Sequence, residues 1–419
     1  PVNMLTGGFE YSYTDMKLNG KNPLTYERYY NSKSDNVWTD NYSYQLSDGE
    51  NMCRLSMPGG YEIEFKKENG RFQSEEGSEL TLEYAAGGYV LKQKNNERYY
   101  FDKSGRLIEI AGDKNRNEKI EYTNNQISKV YSASGTLYFE WNENGNITKI
   151  HDKNGYSTLY SYESDKLTSV TNADGNVSAY KYDENGYLCK VRDFNGVWTI
   201  SNTYDKYGRV TEQELADGGK YTFSYDPIKR YNECKGENNY FKAVFYNEKN
   251  QIITDISNNG VTSYEYNEAN QIISGKDGEG KITYYSYDEN NNLVGTLYPD
   301  GTNKVCTYEN NRIISETDEN GGTIKYDYDT NGNITSITDP MGNVTAFEYD
   351  KMGNCISKRD SQGNVSKLSY DERGNCIMTT DAVGNKTYLS YDLQGKTISS
   401  KDAMGNVTKY NYTAGGKFI

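Results

Sequence analysis

Sixteen aromatic residues recur in one register over 311 residues of this chain, and a fixed period of about 21 residues signals a repeat architecture. Tyr412, Tyr391, Tyr370, Tyr349 and Tyr328 stand 21 residues apart. Upstream the register continues through Tyr308, Tyr287, Tyr266, Tyr246, Tyr225, Tyr204, Tyr182 and Tyr162, then Trp141, Tyr122 and Phe101, at intervals of 19 to 22. Domain counting from a length of 419 residues therefore does not apply, because a repeat array grows by addition.

One unit makes the local structure plain. Gly353-Asn354 and Gly363-Asn364 bracket Cys355–Arg359, and Val365–Tyr370 follows. Gly and Asn tolerate positive φ, so each pair marks a tight reversal, and the short segments between them read as the two strands of a hairpin. The aspartates that recur three residues before such a glycine, Asp339, Asp360, Asp381 and Asp402, fit Asx turns. Residues two apart in a strand share a sheet face, so Phe347 with Tyr349, Tyr180 with Tyr182 and Tyr410 with Tyr412 each put two rings on one side. Stacked over successive repeats, the marks from Tyr162 to Tyr412 are expected to form an aromatic ladder.

Composition fits an aromatic sheet better than an aliphatic core. Only 34% of residues are hydrophobic, yet 43 are tyrosine, a residue that brings a large ring and favours pleated structure. Sixteen hairpins make about thirty strands, or roughly 145 Å of sheet at ~4.8 Å per strand. Twisted sheets rarely exceed ~10 strands without curling, so the fold class is all-β: tandem hairpins winding into a curved, spiral sheet, shell-like or solenoid-like. Residues 1–95 lack the period and read as a separate β-rich cap, while 96–419 carry about sixteen repeats.

With these residues in view, the chain resembles the RHS or YD-repeat family, named for pairs seen here as Tyr182-Asp183, Tyr204-Asp205, Tyr287-Asp288, Tyr349-Asp350, Tyr370-Asp371 and Tyr391-Asp392. The stretches Pro1-Val2-Asn3-Met4-Leu5-Thr6-Gly7 and Pro23–Ser32 resemble the domain that precedes many bacterial RHS cores. The resemblance implies a hollow, non-catalytic β-shell around a variable C-terminal toxin cargo, and a secreted or cell-surface location. Teneurins use a related shell in adhesion. Asp339-Pro340-Met341-Gly342 matches the opening of the family's self-cleaving segment, but Asn343-Val344-Thr345 continues as an ordinary repeat, so no catalytic residue is carried over.

The remaining chemistry reads as structural. A formal net charge of -14 opposes nucleic-acid binding, and no apolar run of ~18 residues offers a membrane span. Pro1 in place of an initiator Met suggests a fragment, and no leader opens the chain. His151 is the sole histidine, which excludes a two-His metal site, and it falls at a strand end. Cys53, Cys189, Cys234, Cys306, Cys355 and Cys376 show no CxxC spacing, and Cys355 and Cys376 hold one repeat offset, ~10 Å apart and beyond disulfide reach. Turn aspartates are too sparse for calcium loops. The sequons at Asn333, Asn343 and Asn406 lie on the repeat's own turns, and acid pairs such as Glu75-Glu76, which could be read as a hydrolase dyad, sit in a polar loop. No cofactor, metal or catalytic site is assigned. The rival reading is an adhesion module that uses tyrosines and asparagines to bind a cell-surface glycan or protein.

Overall fold

The computed structural model describes residues 1–34, 38–74 and 79–419, so Glu75 and Glu76 lie outside the described residues. Strand accounts for 59% of the chain, with no α-helix among the described residues. A small three-stranded sheet, β1 (Glu10–Leu18), β2 (Leu24–Asn31) and β3 (Trp38–Asp40), is followed by a four-stranded one, β4 (Gln45–Asp48), β5 (Met52–Met57), β6 (Tyr61–Glu68) and β7 (Arg71–Gln73). From β8 (Leu80–Ala85) to Val407–Lys409 runs one antiparallel sheet of 33 strands, each paired with its neighbours in sequence order. The last strand pairs with Thr397–Lys401 alone among the described residues, so the sheet is an open ribbon.

Each period is one hairpin plus the turn that joins it to the next. In the unit above, the Asp350 carboxylate accepts the N–H of Met352 and of Asn354, both at 2.9 Å, together with the Asn354 amide. Asp360 repeats this at the second turn with Gln362 and Asn364. Hydrogen bonds from these donors hold Asp360 below its ordinary pKa, as they do Asp339, Asp381 and Asp402. Registers then slip by one residue at the tyrosine: Glu348 pairs with Ser357, but Tyr349 pairs with Cys355, leaving Ile356 as a bulge. The same slip recurs at Tyr328, Tyr370 and Tyr391. Bulges bend a strand and raise its twist, so their repetition along one edge coils the ribbon steadily.

The side of that coil follows from the cap. It touches Tyr99 through Tyr44, with ring centroids 4.9 Å apart, and Asn232, whose amide donates to the Met4 and Leu5 carbonyls. These residues lie on the third and sixteenth strands of the ribbon, roughly 60 Å apart if it were flat. A segment of the cap's length is only about 30 Å across, so the ribbon wraps around it. The wrapped, concave face is the one that carries the tyrosine marks.

Winding continues until the ribbon meets itself edge to edge. Lys94 and Asn96, in the turn before the third strand, donate to carbonyls of Asn291 and Asn310. Asn115 donates to Lys351, and the Lys114 N–H to Asn331. Asp174 accepts from Thr413 and Gly415. These contacts join turns 19 to 23 strands apart, so one circuit is about 100 Å and its diameter roughly 30 Å. Gly332 shows why the docked turns keep glycine: at φ 77° a Cβ would meet Asp113 at 2.5 Å, whereas a Cβ on Gly363, at the opposite edge, would meet nothing within 4 Å.

Candidate functional site

The concave wall is the surface on which the fold concentrates its chemistry. Eleven of the thirteen tyrosine marks from Tyr162 to Tyr412 donate their hydroxyl to a backbone carbonyl 14 to 16 residues earlier, at 2.6–3.1 Å. That carbonyl belongs to the first or second residue of the preceding strand, as in Tyr370 to Cys355 and Tyr391 to Cys376. Tyr122 and Trp141 do the same with Leu107 and Ile127. Burial pushes the Tyr370 hydroxyl up to about 12, so it remains a donor throughout the physiological range.

This geometry corrects the expected ladder. Among the described residues, no two successive marks form a ring–ring pair. Equivalent strands lie ~10 Å apart, with an intervening strand between the rings, so each tyrosine pins that strand by its hydroxyl. Sequence periodicity located the marks; the hydroxyl's target depends on a cross-strand register that the period alone does not reveal.

Two different surroundings share this wall. Along about its first sixteen strands the cap covers the marks, and the apolar cluster of Phe101, Leu137, Ile150, Tyr160, Val170 and Tyr180 merges with Tyr26, Tyr30 and Leu24 of β2. At its centre Arg28 of β2 pairs with Asp15 of β1, with Nη2 to Oδ1 at 2.9 Å. The Tyr160 hydroxyl donates to Asp15 at 2.9 Å, Arg28 donates to the Tyr180 hydroxyl at 3.0 Å, and Trp38 lies over the guanidinium at 4.7 Å. None of Asp15, Arg28 and Trp38 was singled out from the sequence, although Arg28 falls within the Pro23–Ser32 stretch. Along the second circuit the same parity, including Ile324, Phe347, Leu368 and Leu389, is only half-buried and faces the interior space. Alternate residues such as Lys325, Asp327, Glu348 and Lys367 point outward and are exposed.

The seam between circuits carries an ion pair, Arg312 to Asp113 at 2.8 Å. Burial raises the Asp113 pKa, but hydrogen bonds from Arg312 and Asn96 outweigh it and hold the group below its ordinary value.

The other candidate residues stand apart from one another. His151 ends the strand Ile147–His151, stacks on Tyr138 at 5.3 Å and places Nδ1 2.9 Å from the Asp152 carbonyl. All six cysteines are free, and Cys355 and Cys376 open strands separated by another strand. The amides of Asn333, Asn343 and Asn406 donate to the carboxylates of Asp329, Asp339 and Asp402. Among the described residues no group of three or more His, Cys, Asp or Glu is placed to hold a metal.

Comparison with known proteins agrees with the repeat geometry. The RHS Repeat family matches residues 162–197, 266–302, 308–340, 328–365 and 349–386. The chain belongs to the RHS-repeat family. Residues 1–65 of this RHS protein match a second family, a domain of unknown function, DUF6531. Its curated relatives include tRNA nuclease WapA of Bacillus subtilis strain 168 and tRNA(Glu)-specific nuclease WapA of Bacillus subtilis subsp. natto, each 30% identical over 307 residues. Those alignments cover 67% of this chain and 13% of either relative. Solved structures similar to it include the Photorhabdus luminescens Tc holotoxin pore, at 12% identity, TM-score 0.45, 98% of this chain and 26% of that one. The TcdB2-TccC3 complex without its hypervariable C-terminal region follows at 12% identity, TM-score 0.43, 94% of this chain and 28% of that one.

Proposed function

We propose that this RHS segment is a non-catalytic length of shell wall whose concave face encloses a toxin cargo carried C-terminal to it in the same polypeptide. In this reading residues 1–95 form the cap at one end, residues 96–419 form the wall, and the marks from Tyr162 to Tyr412 hold the wall's strands together. The observation that carries it is the self-docking ribbon, which makes a full circuit and leaves a half-exposed apolar lining that the cap does not cover from about residue 250 onward, where Asn19 and Lys21 of the cap reach only the turn backbone at Gly353, Arg373 and Gln394. Such a lining suits an unfolded or partly folded chain, which presents apolar groups and unpaired backbone together. A secreted or cell-surface location belongs to the same proposal.

Limited proteolysis of the natural full-length polypeptide tests it. The region beyond residue 419 should resist cleavage while the wall is intact and become sensitive when the seam is opened by Arg312→Glu with Lys94→Glu. Cleavage of that region at the same rate in both would remove the container. The adhesion reading draws on two outward aromatics, Tyr284 and Tyr388, 49% and 44% exposed. It requires saturable binding on a glycan array, lost in the Tyr284→Ala/Tyr388→Ala double variant.

A further inference from the structure

The outer face of the wall changes character over five consecutive strands, Ser157–Glu163, Lys166–Thr171, Val177–Tyr182, Leu188–Arg192 and Trp198–Tyr204. Pairing sets Leu159 opposite Thr171, Thr171 opposite Val177, Ala179 opposite Arg192 and Arg192 opposite Trp198, and residues so opposed share a face of the sheet. That face points away from the cap, because the alternate residues Tyr160, Val170, Tyr180 and Val191 are buried in the core. Leu159, Val177 and Trp198 stand out from it at 45%, 36% and 38% exposure, with the small side chains of Thr171 and Ala179 between them.

Cations frame these apolar groups. Lys181 and Lys190 are directly opposite each other, a like-charge pairing that costs stability. Among the described residues neither of them, nor Arg192, forms an ion pair, and the buried Arg192 Nε has no hydrogen-bond partner. Lys181 and Arg192 instead lie over the Trp198 ring, at 5.1 and 5.7 Å from its centroid. Carboxylates of this face stand at its margins: Glu140 holds Lys149 at 3.2 Å, Glu163 is opposite Lys166, and Glu212 is on the strand after Trp198–Tyr204. A chain of net charge -14 thus gathers unpaired positive charge beside exposed apolar side chains in one place. A partner that relieves both must bring negative charge and an apolar layer together.

We propose that this face is a peripheral docking surface for an anionic lipid bilayer. Leu159, Val177 and Trp198 enter the interfacial zone, where an indole with an apolar body and an N–H is well placed, while Lys181, Lys190 and Arg192 meet lipid phosphates. Curvature permits it. From the strand of Leu159 to that of Trp198 is ~19 Å of a ~100 Å circuit, so at a radius of roughly 20 Å to the side-chain tips the outer two fall about 4 Å behind the middle, within the ~5–10 Å depth of an interfacial contact. Free phosphate and nucleic acid supply the charge without a hydrocarbon layer for Leu159 and Val177. The surface is the convex side of the wall, so it stands independently of cargo enclosure on the concave side.

Co-sedimentation of the full chain with vesicles of phosphatidylcholine, and of phosphatidylcholine mixed equally with phosphatidylglycerol, tests it. Binding should require the anionic lipid and weaken as salt rises, because the cations are exposed. Lys181→Glu with Lys190→Glu should reduce partitioning by at least tenfold, each lysine contributing on the order of fivefold, without lowering the melting temperature. Lys325→Glu with Lys367→Glu, the same charge change elsewhere on the outer face, should bind as the unaltered chain does. Brominated acyl chains should quench part of the tryptophan fluorescence, and that part should vanish in Trp198→Phe. No binding to the mixed vesicles, equal binding to the neutral ones, or equal loss in both lysine pairs would overturn the proposal. Release from the vesicles by inorganic phosphate or by single-stranded RNA would reassign the face to phosphate or nucleic acid and overturn it as well.

Discussion

The stretch of the ribbon under the cap and the stretch beyond it use one motif in opposite surroundings. Between Phe101 and Val210 the concave side chains are sealed by the cap into a continuous apolar core. Beyond Val210 the buried apolar residues are few, Cys234, Ala243, Val244 and Cys306 among those described, although the same kinds of turn, bulge and tyrosine bond recur there. The motif therefore satisfies its backbone by itself and takes its apolar burial from whatever lies against it. A wall built this way holds together by hydrogen bonds while leaving its lining free for another chain.

If that contrast is right, the largest effect is at the cap. Asp15→Ala leaves the Arg28 guanidinium buried without its counter-charge and should cost ~3–5 kcal/mol, seen as early loss of the first circuit in denaturant. The seam pair is partly exposed, so Arg312→Ala should cost at most ~1 kcal/mol, and a larger loss there would erase the distinction. Next in size are cavity variants. Leu137→Ala, fully buried, should destabilise by ~2–5 kcal/mol, and the half-buried Leu389→Ala by less than about 1.5 kcal/mol, both read by equilibrium unfolding.

Smaller still is the tyrosine bond. Tyr370→Phe should cost ~0.5–1.5 kcal/mol and speed amide exchange in Cys355–Arg359, whereas Tyr162→Phe should change neither stability nor exchange. The smallest effect sharpens the comparison by pH. Asp339, Asp360, Asp381 and Asp402 titrate below their unfolded value of 3.8. Their contribution is complete above that value and is lost as pH falls through the folded value, because the unfolded chain then binds protons first. Amide exchange at Met341, Gln362, Val383 and Met404 should accelerate below pH 3.8; equal acceleration in the quadruple Asp→Asn variant would assign the effect elsewhere.

Much of the wall was legible because its determinants are local. A Gly at positive φ, an Asp two and four residues before its amide targets, and a period of two along each strand all act within a few residues of one another. Those features specify hairpins, an inward and an outward face, and a ribbon too wide to stay flat. Stacking of the marks was misjudged because ring contact depends on the spacing of strands, not of residues. Asp15 and Arg28 gave no warning: two charges thirteen residues apart look solvated until a hairpin places them together beneath Tyr160 and Tyr180.

By itself, then, the sequence determined the hairpin, its turn chemistry and which side chains share a face, since each depends on torsions and periods written into every repeat. Tertiary structure decided that one circuit takes 19 to 23 strands, that the turn edge of one circuit docks on the next, and that the cap fills the wall only to about its sixteenth strand. Small increments of twist and bend, summed over some twenty strands, set where the ribbon meets itself, and no single repeat encodes that sum.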